Sequence, residues 1–260
     1  PSMTQTDLMN NPFALPPLSE QQTIVSYLDS VTTQIDVAIA QQQKMIELLN
    51  ERKQIIINNA VTKGLDPNVK MKDSGVDWIG EIPEGWEVSK FKFHGYIKSG
   101  DSIKNEDVKA EGDFPVWGGN GLMGYHNKHN IENNAFVIGR VGALCGNVRY
   151  VETPVFVTDN ALIFQILSTV EHKFLYYAMV AADFNKLNTS NAQPLITGTK
   201  VKNVSFAYPS YYEQIRIVEF VENKLKIIEN GIDVITNQIT LLQERKQIII
   251  NEVVTGKVKV

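Results

Sequence analysis

The octapeptide Glu51-Arg-Lys-Gln-Ile-Ile-Ile-Asn58 recurs letter for letter as Glu244-Arg-Lys-Gln-Ile-Ile-Ile-Asn251, an offset of 193 residues. The same offset carries Glu20-Gln21 onto Glu213-Gln214, Ile24-Val25 onto Ile217-Val218, Ile35 onto Ile228, and Val61-Thr62 onto Val254-Thr255. Two copies of a segment of about 45 residues therefore bracket an unrelated middle of about 140. Repeats at periods of roughly 20–50 residues build stacked solenoids or propellers. A repeat this distant predicts instead two equivalent arms framing a single module.

The arms carry a heptad period. Ile35, Ile39, Gln42, Ile46, Leu49, Lys53, Ile56 and Ala60 step alternately by four and three, as do Ile228, Ile232, Ile235, Ile239, Leu242, Lys246, Ile249 and Val253. That spacing is the seam of a coiled coil, narrower than the apolar stripe of a helix lying on a globule. No Pro or Gly interrupts Thr32 to Val61, so each arm is expected to be a helix about 40 Å long at 1.5 Å per residue. Gly64 and Gly256 stand where left-handed C-terminal caps belong. Shorter helical stretches, Ser19 to Leu28 and Tyr212 to Val221, precede the seams, with Pro16-Pro17 and Pro209 upstream. Asp29-Ser30 and Glu222-Asn223 mark an expected break. Neither helix can bury its seam alone, so the two pair. The middle module begins where one ends and finishes before the other begins, so the pair is antiparallel. A mere dimerisation stalk would not need near-identical copies. Duplicated helices make two-fold-related docking surfaces suited to two identical partners.

A single cysteine, Cys145, excludes a disulfide framework and fits a reducing, cytoplasmic setting. No apolar run reaches the length of a membrane span, and no signal-peptide pattern opens the chain, so no membrane role is expected. Pro1-Ser2 before Met3 reads as an expression scar. The formal net charge is −4, and residues 94–207 hold ten Lys and Arg against ten Asp and Glu. Any nucleic-acid site must then come from local placement of basic groups or be shared with a more basic partner.

From Trp78 the text turns β-rich. Strands are expected over 86–93, 134–138, 148–151, 154–158, 161–166 and 204–207, with a helix over 171–184 and a polar loop over 190–199. The class is α+β: a twisted, mainly antiparallel sheet beside two long helices pairing as an antiparallel coiled coil. The expected segments are 1–18 as the remnant of a preceding domain, 19–66 as the first helical region, 67–207 as the module, and 208–260 as the second helical region.

Motifs for chemistry fail on context. Gly119-Asn-Gly121-Leu-Met-Gly124 fits the dinucleotide fingerprint, but no helix follows and no βαβ unit surrounds it. A glycine-rich loop between strands is the better reading. His126 and His129 lack the further ligands a metal needs. Cys145 sits between glycines with no ordered base in view. Asn11-Pro12-Phe13 only partly matches the amino-methyltransferase motif. What remains is a set of polar loops: Asn120, then Tyr125, His126, Asn127 and Lys128, then Arg140 and Arg149, then Asn188, Thr189, Ser190, Asn191 and Gln193, followed by Lys200 and Lys202. Asn and Gln pair bidentately with adenine and Arg with guanine, while Lys and hydroxyls suit phosphates. These side chains are the candidate DNA contacts; neither a catalytic residue nor a metal or cofactor site is assigned. The rival is a non-catalytic coiled-coil adaptor whose β module binds protein or glycan, a reading the net acidity favours.

Leu15-Pro-Pro-Leu-Ser-Glu-Gln21, both copies of the octapeptide followed by Val-Thr, and Trp78-Ile-Gly-Glu-Ile-Pro-Glu-Gly-Trp86 carry a recognisable pattern. So do Gly118-Gly-Asn-Gly121, Ile138-Gly-Arg140-Val-Gly142 and Thr158-Asp-Asn160. Over about 240 residues the chain resembles the specificity (S) subunit of type I restriction–modification systems, and in particular its C-terminal portion, with one target recognition domain between two conserved helical regions. The resemblance implies that the domain reads one half of a bipartite site in double-stranded DNA. It implies that the helices space the half-sites and dock two methyltransferase (M) subunits, with restriction (R) subunits joining through M. S-adenosylmethionine, ATP and Mg are expected on those partners, none on this chain. A homodimer of two such chains would restore two reading domains and specify a symmetric split site.

Overall fold

The computed structural model describes residues 15–260 apart from 134, 143, 168 and 188–194. Among the described residues the helices are α1 (Leu18–Lys63), α2 (His172–Ala181), α3 (Gly198–Lys202) and α4 (Tyr211–Val254). The chain divides into two compact units, one running up to Arg52 and resuming at Lys226–Val260, the other Lys53–Leu225.

The first unit is a helical pair. Ile35 is buried, and Ile39, Gln42, Ile46 and Leu49 of α1 are half-buried, as are Ile228, Ile232, Ile235, Ile239, Leu242, Lys246 and Ile249 of α4. Gln42 Nε2 donates to Gln238 Oε1 at 3.3 Å, and Lys246 Nζ reaches both carboxylate oxygens of Asp36 at 2.7 Å. Moving back along α1 thus moves forward along α4, so the pairing is antiparallel. The ion pair is exposed enough to contribute only about 0–1 kcal/mol; the apolar seam carries the association.

The expected breaks at Asp29-Ser30 and Glu222-Asn223 do not occur. Both helices run through, over 46 and 44 residues. Asp, Ser and Asn each cost at most roughly 0.7 kcal/mol in a helix interior, too little to end one that has no Pro or Gly at that point. Each helix is therefore roughly 65–70 Å long at 1.5 Å per residue, not the shorter arm expected from the seam alone. Both entrances repeat one device. Gln21 Nε2 donates to the Pro16 carbonyl at 2.7 Å, and Gln214 Nε2 to that of Pro209 at 2.9 Å. The exits repeat another: Thr62 and Thr255 each donate a hydroxyl, at 2.6 Å, to the carbonyl four residues back. Gly64 and Gly256 then turn the chain at φ +74° and +70°.

The second unit is an α+β module. Its central sheet has the order β4 (Gly95–Ser99), β10 (Ala161–Ile166), β7 (Ala135–Gly139), β8 (Val148–Val151), all antiparallel. All five residues of β7 are buried, so its apolar run has no solvent face. Alternation sorts them: Phe136 and Ile138, with Leu162 and Phe164 of β10, join a core containing Phe174, Leu175, Ala178 and Met179 of α2. Ala135 and Val137, with Ala161 and Ile163, join a second core containing Val155 and Val157. On that second side lies a three-stranded sheet, β6 (Gly121–His126), β5 (Phe114–Gly118), β9 (Phe156–Val157), in which β5 and β9 run parallel. Two antiparallel strand pairs complete the unit: the β1 (Met71–Asp73) and β2 (Glu81–Pro83) hairpin, and β3 (Glu87–Lys90) with β11 (Ser205–Tyr208), which joins the two ends of the module. The larger core also takes in Ile57, Ala60 and Val61 of α1 and Ile217, Val218 and Val221 of α4, so the module is built onto the helix ends.

Two local readings change. The strand expected over 86–93 stops at Lys90, and Phe91–Phe93 form a 3-10 turn. Phe91 is driven inward there, stacked on Phe206 at 4.6 Å and edge-on to Phe184 at 5.7 Å. The glycine-rich stretch around 119–124 is the tip and return strand of the β5–β6 hairpin. Pro115, Gly121 and Gly124 weaken the strand signal there, and a bulge between Val116 and Trp117 breaks the alternation.

Two measurements check this packing. Phe91→Ala should cost about 3–5 kcal/mol in urea unfolding, as for a buried aromatic. His94 is buried against Phe206 and Tyr208, with Nε2 2.8 Å from Ser89 Oγ, and burial lowers its pKa below the ordinary 6.5. The unfolded chain then takes up the proton more readily, so stability is fully present above about pH 6.5 and falls as pH drops toward the folded pKa. Urea midpoints across pH 5–7.5 should show that loss in the wild type and less of it in His94→Gln.

Candidate nucleic-acid interface

Several connections of the second unit meet at one end of its central sheet. Arg140 follows β7, and its N–H donates to the Asn160 carbonyl at 3.2 Å, joining the β7–β8 connection to the β9–β10 turn. The β5–β6 tip is drawn to the same place, because Arg149 of β8 donates from Nη1 to the Gly119 carbonyl at 3.2 Å. The approach is close enough to require glycine: a Cβ on Gly119 would stand 2.6 Å from the Asn160 carbonyl oxygen. The end of β4 joins through Arg140 Nη1, 3.4 Å from Ser99 Oγ. Ile196 comes in as well, its N–H donating to the Arg140 carbonyl at 3.0 Å. Asn120 is exposed at the tip, and Arg140 and Arg149 are half-buried. Two arginines, exposed amides and hydroxyls thus converge from connections far apart in sequence, a chemistry suited to base edges and phosphates.

The other sequence candidates are placed differently. Tyr125 and His126 belong to β6, not to a loop. Tyr125 bridges Lys109 through its backbone; His126 Nδ1 lies 3.0 Å from the Asp107 carbonyl oxygen, with its ring edge-on to Phe156. Asn127 and Lys128 are exposed beyond the strand. Lys200 is half-buried, and its Nζ donates to the Leu187 carbonyl at 2.9 Å, which ties α3 to the preceding turn. Asn188, Thr189, Ser190, Asn191 and Gln193 lie outside the described residues. Sequence reasoning passed over Lys98, Ser99, Thr197 and Thr199, which line a groove of about 240 Å³ with Arg140 and Lys202. Nothing in the sequence marks them, since β4 and α3 are brought together only by the fold. On β8, Arg149 also borders a cleft of about 700 Å³ with Asn58, Trp78, Asn147, Tyr176 and Asn185.

The residues weighed in the sequence for nucleophilic or metal chemistry are otherwise engaged. Cys145 is buried, its Sγ 3.1 Å from the Arg140 carbonyl oxygen, and burial pushes its thiol pKa up, away from a thiolate nucleophile. His129 packs edge-on to Phe114 at 4.6 Å, while His126 is engaged with Asp107. Among the described residues no three His, Cys, Asp or Glu side chains are grouped to hold a metal.

The family model for the type I restriction modification DNA specificity domain matches residues 83–240, more than half of the chain. This chain belongs to that family. The specificity subunit of the type I restriction enzyme EcoprrI from Escherichia coli is 28% identical over 154 residues, covering 59% of this chain and 36% of the relative. The MjaVIII specificity subunit from Methanocaldococcus jannaschii is 26% identical over 273 residues, 95% of this chain and 62% of the relative. The chain thus spans less than two thirds of these specificity subunits. A chain of a type I R-M system, solved in work on its assembly and conformational transition, superposes with a TM-score of 0.74 at 17% identity, covering 99% of this chain and 65% of that one. The S subunit from M. genitalium gives 0.56 at 16% identity, with 92% and 61% covered. These structures share the specificity-subunit fold.

The close approach at the site is testable. Gly119→Ala should destabilise the protein by about 1–3 kcal/mol, as overpacking does, because its Cβ meets the backbone of Asn160. Gly85→Ala, with nothing within 4 Å of its Cβ, should stay within about 0.5 kcal/mol of wild type in the same urea titration.

Proposed function

We propose that this chain supplies DNA sequence specificity to a type I restriction–modification complex. The α+β module reads one half of a bipartite site in double-stranded DNA through the connections gathered around Arg140 and Arg149. The helical pair spaces the half-sites and docks methyltransferase subunits. The chain itself is non-catalytic. Methyl transfer with S-adenosylmethionine belongs to the methyltransferase subunits, and ATP- and Mg-dependent restriction to subunits that join through them. Two copies of the chain, as a homodimer, would present two modules to a symmetric site. Such a complex works on DNA in the cytoplasm; no helix among the described residues is long and apolar enough to cross a membrane.

The observation that carries the docking half of this reading is that the repeat duplicates an exposed surface as well as the seam. Each seam residue Ile228, Ile235, Leu242 and Ile249 is preceded by an exposed apolar one: Ile227, Val234, Leu241 and Ile248, 54–67% exposed. The flank of a two-stranded coiled coil usually carries charge. On α1 the residues before Leu49 and Ile56 are Leu48 and Ile55, 47% and 49% exposed, and the offset carries them onto Leu241 and Ile248 without change. A seam needs no such ridge beside it. The ridges match over Leu48 and Ile55 against Leu241 and Ile248, while Gln34 and Gln41 stand where α4 has Ile227 and Val234; the matched stretches fit two identical helical partners, each laying an apolar face along one of them.

Leu48→Asp and Leu241→Asp, at exposed positions, should leave the helices folded. Co-expressed with the cognate methyltransferase, each single variant should hold one methyltransferase subunit where wild type holds two, and the double variant none, by light scattering of the purified complex. Two subunits retained on the double variant would remove the docking surface. Failure of the wild type both to co-purify with a methyltransferase and to bind DNA would favour a protein- or glycan-binding adaptor.

A further inference from the structure

The groove between the end of β4 and α3 is chemically unlike the rest of the interface. Lys98, Ser99, Arg140, Thr197, Thr199 and Lys202 give it three cations and three hydroxyls; its remaining walls are Ile97, Leu162 and Gly198. Among the described residues it contains no carboxylate, amide or aromatic side chain. Lys98, Lys202 and Arg140 make no ion pair among the described residues. Arg140 is oriented by Ser99 Oγ, while its Nε is buried with no hydrogen-bond partner. An uncompensated buried donor on a cation is costly and calls for an acceptor. Residues 94–207 are neutral overall, so a cluster of three unpaired cations there is a local departure.

We propose that this groove seats a phosphate of the DNA backbone, and that it anchors the module without reading sequence. This rests on the DNA-reading function proposed above and divides the labour within it. Base edges in the major groove offer acceptors and donors that Asn and Gln match in pairs and that stacking side chains can flank. Among the described residues the groove offers neither amide nor ring, and its one guanidinium, a group that can also meet guanine, is held on Ser99 Oγ. It offers cations and hydroxyl donors, the groups that hold phosphate oxygens. Asn120 and Arg149, at the β5–β6 tip and on β8, keep the amide and the guanidinium suited to bases. Removing the groove's charge should therefore weaken binding to every sequence alike.

The test uses the full chain and duplex DNA. Binding of a mixed-sequence duplex is followed by fluorescence anisotropy across salt for wild type, for Lys98→Gln/Lys202→Gln, and for Lys70→Gln/Lys72→Gln. The last pair is an equal change of charge on exposed residues around β1. If both groove lysines meet phosphate, their double variant lowers the slope of log K against log salt by up to about 1.8, at roughly 0.9 per contact; the control pair leaves it unchanged. Selection from a random duplex library should return the same enriched sequence for wild type and groove variant. An unchanged slope in the groove variant, an equal fall in the control pair, or a changed selected sequence each overturns the phosphate seat while leaving DNA binding intact. A wild-type chain that binds duplex DNA neither alone nor with its methyltransferase overturns the reading beneath it as well. Lys98 and Lys202 are exposed, so the variants test the groove without disturbing the core.

Discussion

The second unit is organised by one strand pair, β7 against β10, with a different core on each face. Phe136, Ile138, Leu162 and Phe164 are committed to the helical side, and Ala135, Val137, Ala161 and Ile163 to the side of the three-stranded sheet. A slip of one residue would exchange the two sets, putting phenylalanines where alanines now pack. The register fixed this way sets where β7 and β10 end. The chain end of β7, the turn before β10, the tip of the β5–β6 hairpin and the end of β4 are therefore brought together by core packing. Arg140 and Asn160 meet because the strands that carry them cannot shift.

How much of this could be read beforehand follows from the range of the interactions involved. The seam was legible because a coiled coil writes its contacts locally, every three or four residues, and the positions from Ile35 to Leu49 and from Ile228 to Ile249 are the ones withdrawn from solvent. The gathered connections were half legible. Arg140, Arg149 and Asn120 stood out by residue type, but nothing local says that Ser99 lies beside Arg140, 41 positions away. Lys200 illustrates the opposite failure: its type suits phosphate, yet its ammonium is occupied by the Leu187 carbonyl. The β5–β6 hairpin was hidden because the glycines that permit its close approaches also erase its strand signal. Gly124 is at φ +151°, with no room for a side chain against Lys109.

Duplication and reading make opposite demands on sequence. The two helices share particular devices rather than overall sequence: entrance glutamines on prolines, exit threonines on carbonyls, and matched exposed apolar residues at Leu48 and Ile55 and at Leu241 and Ile248. A specificity component must do the reverse in its module, varying the residues that meet bases while preserving the frame that aims them. The architecture permits this because the frame is apolar and two-sided, whereas Asn120 and Arg140 sit on connections outside the strands. Exchanging Asn120 would disturb neither core.

Anchoring and discrimination can also be separated within such a module. Its charge is balanced overall, so a long-range field contributes little and encounter with DNA depends on where cations stand free of carboxylates. Lys98, Arg140 and Lys202 satisfy that condition together, and among the described residues the groove they line holds cations and hydroxyls, the groups that suit phosphate oxygens. A reader that held DNA only through its base contacts would bind too weakly elsewhere to search. One that held it mainly through phosphates would bind everywhere with little preference. On the proposed division, a small cationic seat near Asn120 and Arg149 would give a modest, sequence-independent hold and leave the difference between sequences to residues that can change without loosening it.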